Sequence, residues 1–324
     1  MRRRDFLRKG SAAAAGLAAS NRLLDPLAKA GEKASLAPIP KRRLGKTGMD
    51  LSIIAMGGIV VMNAEQSHAN DVVAEAFDRG INYYDVAPSY GDAQSHLGPA
   101  LEPYRSRSFL ACKTTERTKD GSAKELEESL RLLRTDHVDL YQFHAVTTKE
   151  DVEKIFGPNG AMETFQAARQ AGKVRFIGFS AHSVENALSM LDHYNFDTIL
   201  FPINFVLFSQ ANFGPQVLAK AREKGMGILA LKGMAKTVWP EAQKKDHPNA
   251  KYWYQPAALP DEAGLALRWT LSQPITAAVP PGEEKYFRRA MEVAQNFTPL
   301  KPEEEKTLMA GARDVEPIFH LAKA

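Results

Sequence analysis

The sequence predicts an α/β fold, a closed (β/α)8 barrel of the TIM type, on three observations. Past residue 40, eight short apolar runs alternate with eight amphipathic stretches, the order of a parallel sheet whose strands are joined by helical crossovers. Eight repeats favour a sheet closed on itself over an open one. Asp85, Lys113, His144 and Ser180 fall at or just past the ends of the second to fifth runs, and such barrels carry their chemistry on that rim.

Residues 1–30 stand apart from this pattern. Arg3-Arg4-Asp5-Phe6-Leu7-Arg8-Lys9, a mildly apolar run over 10–19 and Ala28-Lys29-Ala30 place basic, apolar and small-residue regions in the order of a twin-arginine (Tat) signal peptide. The apolar run is too short to span a bilayer, and no later segment does so, so no transmembrane segment is expected in the mature form. The leader implies passage of a folded chain through the Tat translocase to the periplasm. Residues 31–40 read as a linker and 41–324 as the barrel domain.

The leader also owns the charge excess. The chain has 42 Lys and Arg against 38 Asp and Glu; residues 1–30 hold seven basic and two acidic side chains, which leaves 35 against 36. A near-neutral mature chain carries no electrostatic footprint for nucleic acid or an anionic membrane. Cys112 is the only cysteine, so no internal disulfide forms in an oxidising compartment.

Strands are expected near 53–56, 81–84, 109–113, 138–143, 174–179, 198–201, 227–231 and 277–279, apolar runs too short for helices. Helices are expected near 67–79, 94–102, 122–134, 161–171, 184–193, 214–224, 261–272 and 284–296, and a further helix and tail from 303 to 324. From 232 to 260 no periodic pattern holds. A loop of that length after the seventh strand reads as a lid on the catalytic rim, with Trp239, Tyr252, Trp253 and Tyr254 making an apolar wall. Trp239 and Trp253 are the candidate substrate contacts.

Four residues carry the chemistry. A tyrosine hydroxyl titrates near 10 and is a reluctant acid unless a nearby cation favours its anion. Lys113 supplies such a cation for Tyr90, Asp85 keeps the ammonium charged and aimed, and a neutral His144 orients a carbonyl oxygen against the hydroxyl. The set suits carbonyl reduction. Asn82-Tyr83-Tyr84-Asp85-Val86-Ala87-Pro88-Ser89-Tyr90-Gly91, with Lys113 closing one strand and His144 the next, resembles the catalytic tetrad of the aldo-keto reductases. The segment 42–52 is similar to that family's amino-terminal β-hairpin and 172–180 to its fifth strand. The resemblance covers roughly residues 40 to 300 and implies an NAD(P)-dependent oxidoreductase acting on an aldehyde or ketone.

The same resemblance implies where the dinucleotide binds. No Gly-x-Gly-x-x-Gly follows the first strand, in keeping with a barrel that holds the cofactor extended across its rim. In the family, Ser-Asn after strand five holds the carboxamide, a glutamine follows strand six, and an aromatic ring after strand seven stacks on the nicotinamide. Here these places read Ser180-Ala181-His182, Pro202 and Leu231, so Ser180 is a candidate cofactor contact, Asn204 can replace one amide contact, and Lys232, next to Leu231, is a further candidate cofactor contact. Pro281-Gly282 and the helix start after it resemble the turn that receives the 2′-phosphate of NADP, with Gly282, Lys285, Arg288 and Arg289 as contacts. Glu283 and Glu284 suit the ribose of NAD instead, so NADP is expected with NAD as the alternative. Two other readings stay open. The missing amide and stacking residues suit a non-catalytic dinucleotide-binding subunit. His144 and His182 on neighbouring strands suit a metal-dependent hydrolase, although His-x-His is missing from strand one and Lys113 opposes a divalent cation, so no metal is expected.

Overall fold

The computed structural model describes residues 37–248 and 251–321. The signal-peptide reading and most of the linker lie outside the described residues. Of the linker, residues 37–40 are described and docked: Ile39 is buried, its N–H donates to Arg79 O at 2.9 Å, and Gln295 Nε2 donates to Ala37 O at 3.1 Å.

After residue 40 comes the hairpin that the resemblance implied, β1 (Lys41–Arg43) and β2 (Asp50–Ser52), antiparallel with Arg42 opposite Leu51. The barrel strands follow as β3 (Met56–Gly57), β4 (Tyr83–Asp85), β5 (Phe109–Thr114), β6 (Val138–Val146), β7 (Val174–Ala181), β8 (Thr198–Pro202) and β9 (Gly227–Leu231). After β9 come a two-stranded ribbon, β10 (Ala235–Val238) with β11 (Tyr254–Pro256), and the last barrel strand, β12 (Ala277–Val279). All neighbours in the eight-stranded sheet are parallel. A parallel bridge between Ile54 and Ala278 joins its two ends: Ala278 N donates to Ile53 O and Ala55 N to Ala278 O, both at 2.9 Å. The first strand is shorter than expected. Ser52 Oγ donates to Ile54 O and Ile53 N to Pro40 O, so this stretch is shared between hairpin and barrel.

The helices are α1 (Gln66–Asp78), α2 (Ala93–Leu101), α3 (Lys119–Leu132), α4 (Lys149–Phe156), α5 (Ala161–Gln170), α6 (Val184–His193), α7 (Phe205–Gln210), α8 (Pro215–Glu223), α9 (Asp261–Ser272), α10 (Glu284–Gln295) and α11 (Pro302–Gly311). Eight match the expected crossovers and α11 the expected extra helix; α4 and α7 are additions. Helix α11 buries Leu308 and is pinned by the Arg268–Glu304 ion pair at 2.6 Å. Beyond it the tail returns to the rim, where Phe319 stacks on Phe213 and on His182. Among the described residues no helix is long and apolar enough to cross a membrane.

The period of two along each strand divides the core. Tyr83, Phe109, Ala111, Leu140, Leu200, Leu229 and Ala277 point inward and form one cluster with Leu44 and Leu51 of the hairpin, which stops the amino-terminal mouth of the barrel. Tyr84, Leu110, Cys112, Tyr141 and Phe143 point outward into the helix layer. The same alternation that sends Tyr83, Phe109 and Leu140 inward sends Asp85, Lys113, Gln142 and His144 inward one or two layers higher. The sheet therefore delivers three of the four candidate residues to one mouth.

Candidate active site

Lys113 is fully buried at the end of β5, and its ammonium donates to Asp85 Oδ1 and, at 3.3 Å, to Val86 O. A buried lysine needs such a partner, because an uncompensated charge in the barrel costs several kcal/mol. Asp85 is saturated in turn: its Oδ2 accepts from Tyr83 O–H at 3.0 Å and from Gln142 Nε2 at 3.2 Å. Tyr83 lies two residues before Asp85 on the same strand face, and Gln142 is level with Lys113 across the β5–β6 ladder. Neither was singled out from sequence. The inward parity of both strands was the available signal.

Tyr90 sits in the loop after β4, and the Lys113 ammonium lies 5.0 Å from its ring centroid. Burial raises the Tyr90 pKa, while the charge of Lys113 and a hydrogen bond from it pull the other way. The net direction is upward, so the expected lowering by the cation is outweighed by desolvation. For Lys113, burial acts downward, but the charges of Asp85 and Tyr90 and hydrogen bonds to both hold its pKa above the ordinary value. His144 meets Tyr90 edge to face, with centroids 5.6 Å apart. Burial first, then the charges of Lys113, His182, Arg117 and Lys232, lower its pKa to about 2, so the imidazole is neutral. Ser89 Oγ lies 3.2 Å from His144 Nδ1 and holds the ring, while Arg117 donates to the backbone His144 O at 2.6 Å and anchors the main chain there.

Asp85, Tyr90, Lys113 and His144 line one cavity of about 240 Å³ together with Ser180, His182, Leu231, Lys232, Lys251, Tyr252, Trp253, Tyr254 and Gly282. A wider open cleft of about 860 Å³ lies at the opposite mouth, beside Asn82, Phe109 and Asp139 at the starts of strands, and contains none of the four. The chemistry points to the smaller space. Among the described residues no three His, Cys, Asp or Glu side chains are grouped to hold a metal ion. His182 instead stacks on Phe319 at 5.0 Å, and burial followed by the charge of Lys232 lowers its pKa to about 3.

The expected cofactor contacts divide. Ser180 lines the cavity; its Oγ accepts from Ala145 N at 2.8 Å, which leaves its own proton free to be donated. Gly282 lies where Ile59 approaches so closely that a Cβ would sit 2.2 Å from Ile59 Cγ2. Asn204 is not a cavity residue. It caps α7 by accepting from Leu207 N at 2.8 Å and donates to Lys232 O at 3.2 Å, which spends its amide on the backbone. Arg288 is held by Glu75 and Glu284, and Arg289 by Glu292 and Pro260 O. Lys285 is exposed and flanks the Tyr286 ring at 5.8 Å.

The stretch from 232 to 260 is more ordered than its sequence suggested, because Val238 pairs with Tyr254 in the β10–β11 ribbon. Residues 251–254 lie over the cavity: Lys251 Nζ donates to Val60 O at 2.8 Å and its N–H to Glu283 Oε1. Trp253 lines the mouth and is 51% exposed. Trp239 is buried and stacked on His247 at 4.5 Å, away from the cavity, so it packs the lid and makes no part of its inner wall.

Comparison with known proteins agrees with this geometry. The model of the aldo/keto reductase family matches residues 54–308. L-galactose dehydrogenase of Arabidopsis thaliana is 30% identical over 222 residues, 62% of this chain and 67% of that protein. Aldo-keto reductase YhdN of Bacillus subtilis is 31% identical over 161 residues, 44% of this chain and 47% of that protein. The matched region thus spans about half the length of several such relatives. Among solved structures, aldo-keto reductase AKR11C1 from Bacillus halodurans superposes with a TM-score of 0.66 at 21% identity, covering 88% of this chain and 100% of that one. With a matched family model over most of its length and the barrel that goes with it, the chain belongs to the aldo/keto reductase family.

Proposed function

We propose that the chain reduces an aldehyde or ketone to the alcohol with a nicotinamide dinucleotide, and that Tyr90 donates the proton. The observation that carries this reading is the buried Lys113–Asp85 pair beneath the Tyr90 ring. The reduced dinucleotide supplies the hydride when bound. Tyr90, its pKa raised, is protonated at neutral pH and therefore able to donate. As negative charge gathers on the substrate oxygen, Lys113 stabilises the tyrosinate left behind, and Asp85 keeps that lysine charged. Neutral His144 has a ring N–H to direct at the same oxygen, while Ser89 holds the imidazole and Arg117 the backbone that carries it.

The residues present fit the dinucleotide's nicotinamide end: Ser180 has a proton to donate, and the Tyr252 hydroxyl is buried in the cavity with no partner among the described residues. NADP is the proposed form, with Lys285 and Arg288 toward its 2′-phosphate. The clamp of Glu75 and Glu284 on Arg288 favours a second reading, in which these carboxylates accept from an unphosphorylated ribose and NAD binds. The spent amide of Asn204 favours a third, a dinucleotide-binding subunit without turnover.

One experiment separates these readings. Oxidation of NADPH and of NADH by the mature chain is followed against a panel of aldehydes and ketones. Carbonyl-dependent oxidation is expected, faster with NADPH. Dinucleotide binding without any turnover would leave only the third reading. Export through the Tat translocase to the periplasm is likewise proposed, from residues 1–30; replacing Arg3 and Arg4 by Lys is expected to keep the protein in the cytoplasm on fractionation, and unchanged export would refute it.

A further inference from the structure

We infer that the carbonyl substrate bears an anionic group, a carboxylate or a phosphate, and that Lys232 at the cavity mouth is the residue that selects it; this rests on the reductase reading above. The cavity holds three lysines, and two are accounted for. Lys113 is neutralised by Asp85, and Lys251 donates to Val60 O and faces Glu283. Lys232 has no ion pair and no hydrogen-bond acceptor for its ammonium among the described residues. Its neighbours are ring faces: the ammonium lies 5.4 Å from Trp253, 5.2 Å from Tyr254 and 5.8 Å from Phe319. Rings attract an ammonium but replace only part of its hydration, so the charge keeps the capacity to pair with an oxygen anion.

The ring cage around this charge and the Gly282 turn, where the dinucleotide's phosphate is expected, line the same cavity but are built by different segments. The cage is made by the lid and the returning tail, and Phe319 joins it to His182 beyond β7. The Gly282 turn meets the lid at Lys251, through Glu283. Lys232 also adopts φ +61°, a left-handed backbone held by Asn204 Nδ2 and Ala235 N, which both donate to its carbonyl. Burial lowers its pKa to about 8, with no carboxylate acting to raise it, and the group remains mostly protonated at pH 7. Its charge helps keep both His144 and His182 neutral. The cavity thus carries one uncompensated cation between low-dielectric walls, where an ion pair is stronger than in water.

The test compares 4-carboxybenzaldehyde with benzaldehyde in the wild-type protein, K232M and K232R. The wild type is expected to favour the carboxylated aldehyde by about tenfold or more in kcat/KM, mainly through KM, the scale of one charge-assisted hydrogen bond. K232M is expected to lose at least about tenfold more on that aldehyde than on benzaldehyde, and K232R to keep most of the preference. Turnover of both aldehydes without charge preference overturns this inference alone. A K232M loss shared equally by both, with a matching loss of dinucleotide affinity in a fluorescence titration, assigns the anion to the cofactor and also overturns it. If no aldehyde is turned over at all, the reductase reading falls and takes this inference with it.

Discussion

Asp85 holds its neighbourhood together through three donors, Lys113, Tyr83 and Gln142. Removing its charge in D85N leaves the Lys113 ammonium buried with no compensating charge. A loss of about 3–5 kcal/mol in unfolding free energy is expected by urea denaturation, the usual cost of breaking a buried pair from one side. An unchanged midpoint would show that the pair is not the support described. The types of the four residues were readable because Asp85, Lys113 and His144 are unusual at strand ends, where parity puts them inward, and Tyr90 follows in the loop after the first of them. The sense of the Tyr90 shift was not readable: it depends on how far burial exceeds the pull of Lys113, which is set by packing from several elements. The same holds for Asn204, whose amide looked available until the α7 cap and Lys232 O claimed it.

At the scale of elements, the hairpin is the clearest case of shape set by contact. Gly45 has φ +47°, and a Cβ there would lie 2.3 Å from Gly227 N, where the hairpin turn meets the start of β9. Gly48 has φ +81° but open space around it. G45A is therefore expected to cost roughly 1–3 kcal/mol and G48A less, since the second pays only for its backbone conformation. Equal effects in thermal unfolding would contradict the plug. Eight strands and eight crossovers could be read from alternation, whereas α4 and α7, of eight and six residues, are too short for a periodic pattern. Their signal lay in the caps instead: Thr148 with Asp151 forms a capping box, and Asn204 accepts from Leu207 N. The β10–β11 ribbon escaped notice because its strands lie fifteen residues apart, and pairing over that gap leaves no local mark.

The whole molecule combines a barrel closed at one mouth by its hairpin with a chemical site at the other, roofed by the lid and the returning tail. Past residue 30 the charge is near neutral, with 35 basic against 36 acidic side chains. In the proposed reaction Tyr90 gives the proton on which carbonyl reduction depends. Y90F keeps the ring and removes only that proton, so the most direct measurement is the turnover of a carbonyl by Y90F beside the wild type at saturating dinucleotide. A fall in kcat of at least about a hundredfold is expected, with dinucleotide affinity retained. Comparable turnover by the two proteins would contradict it.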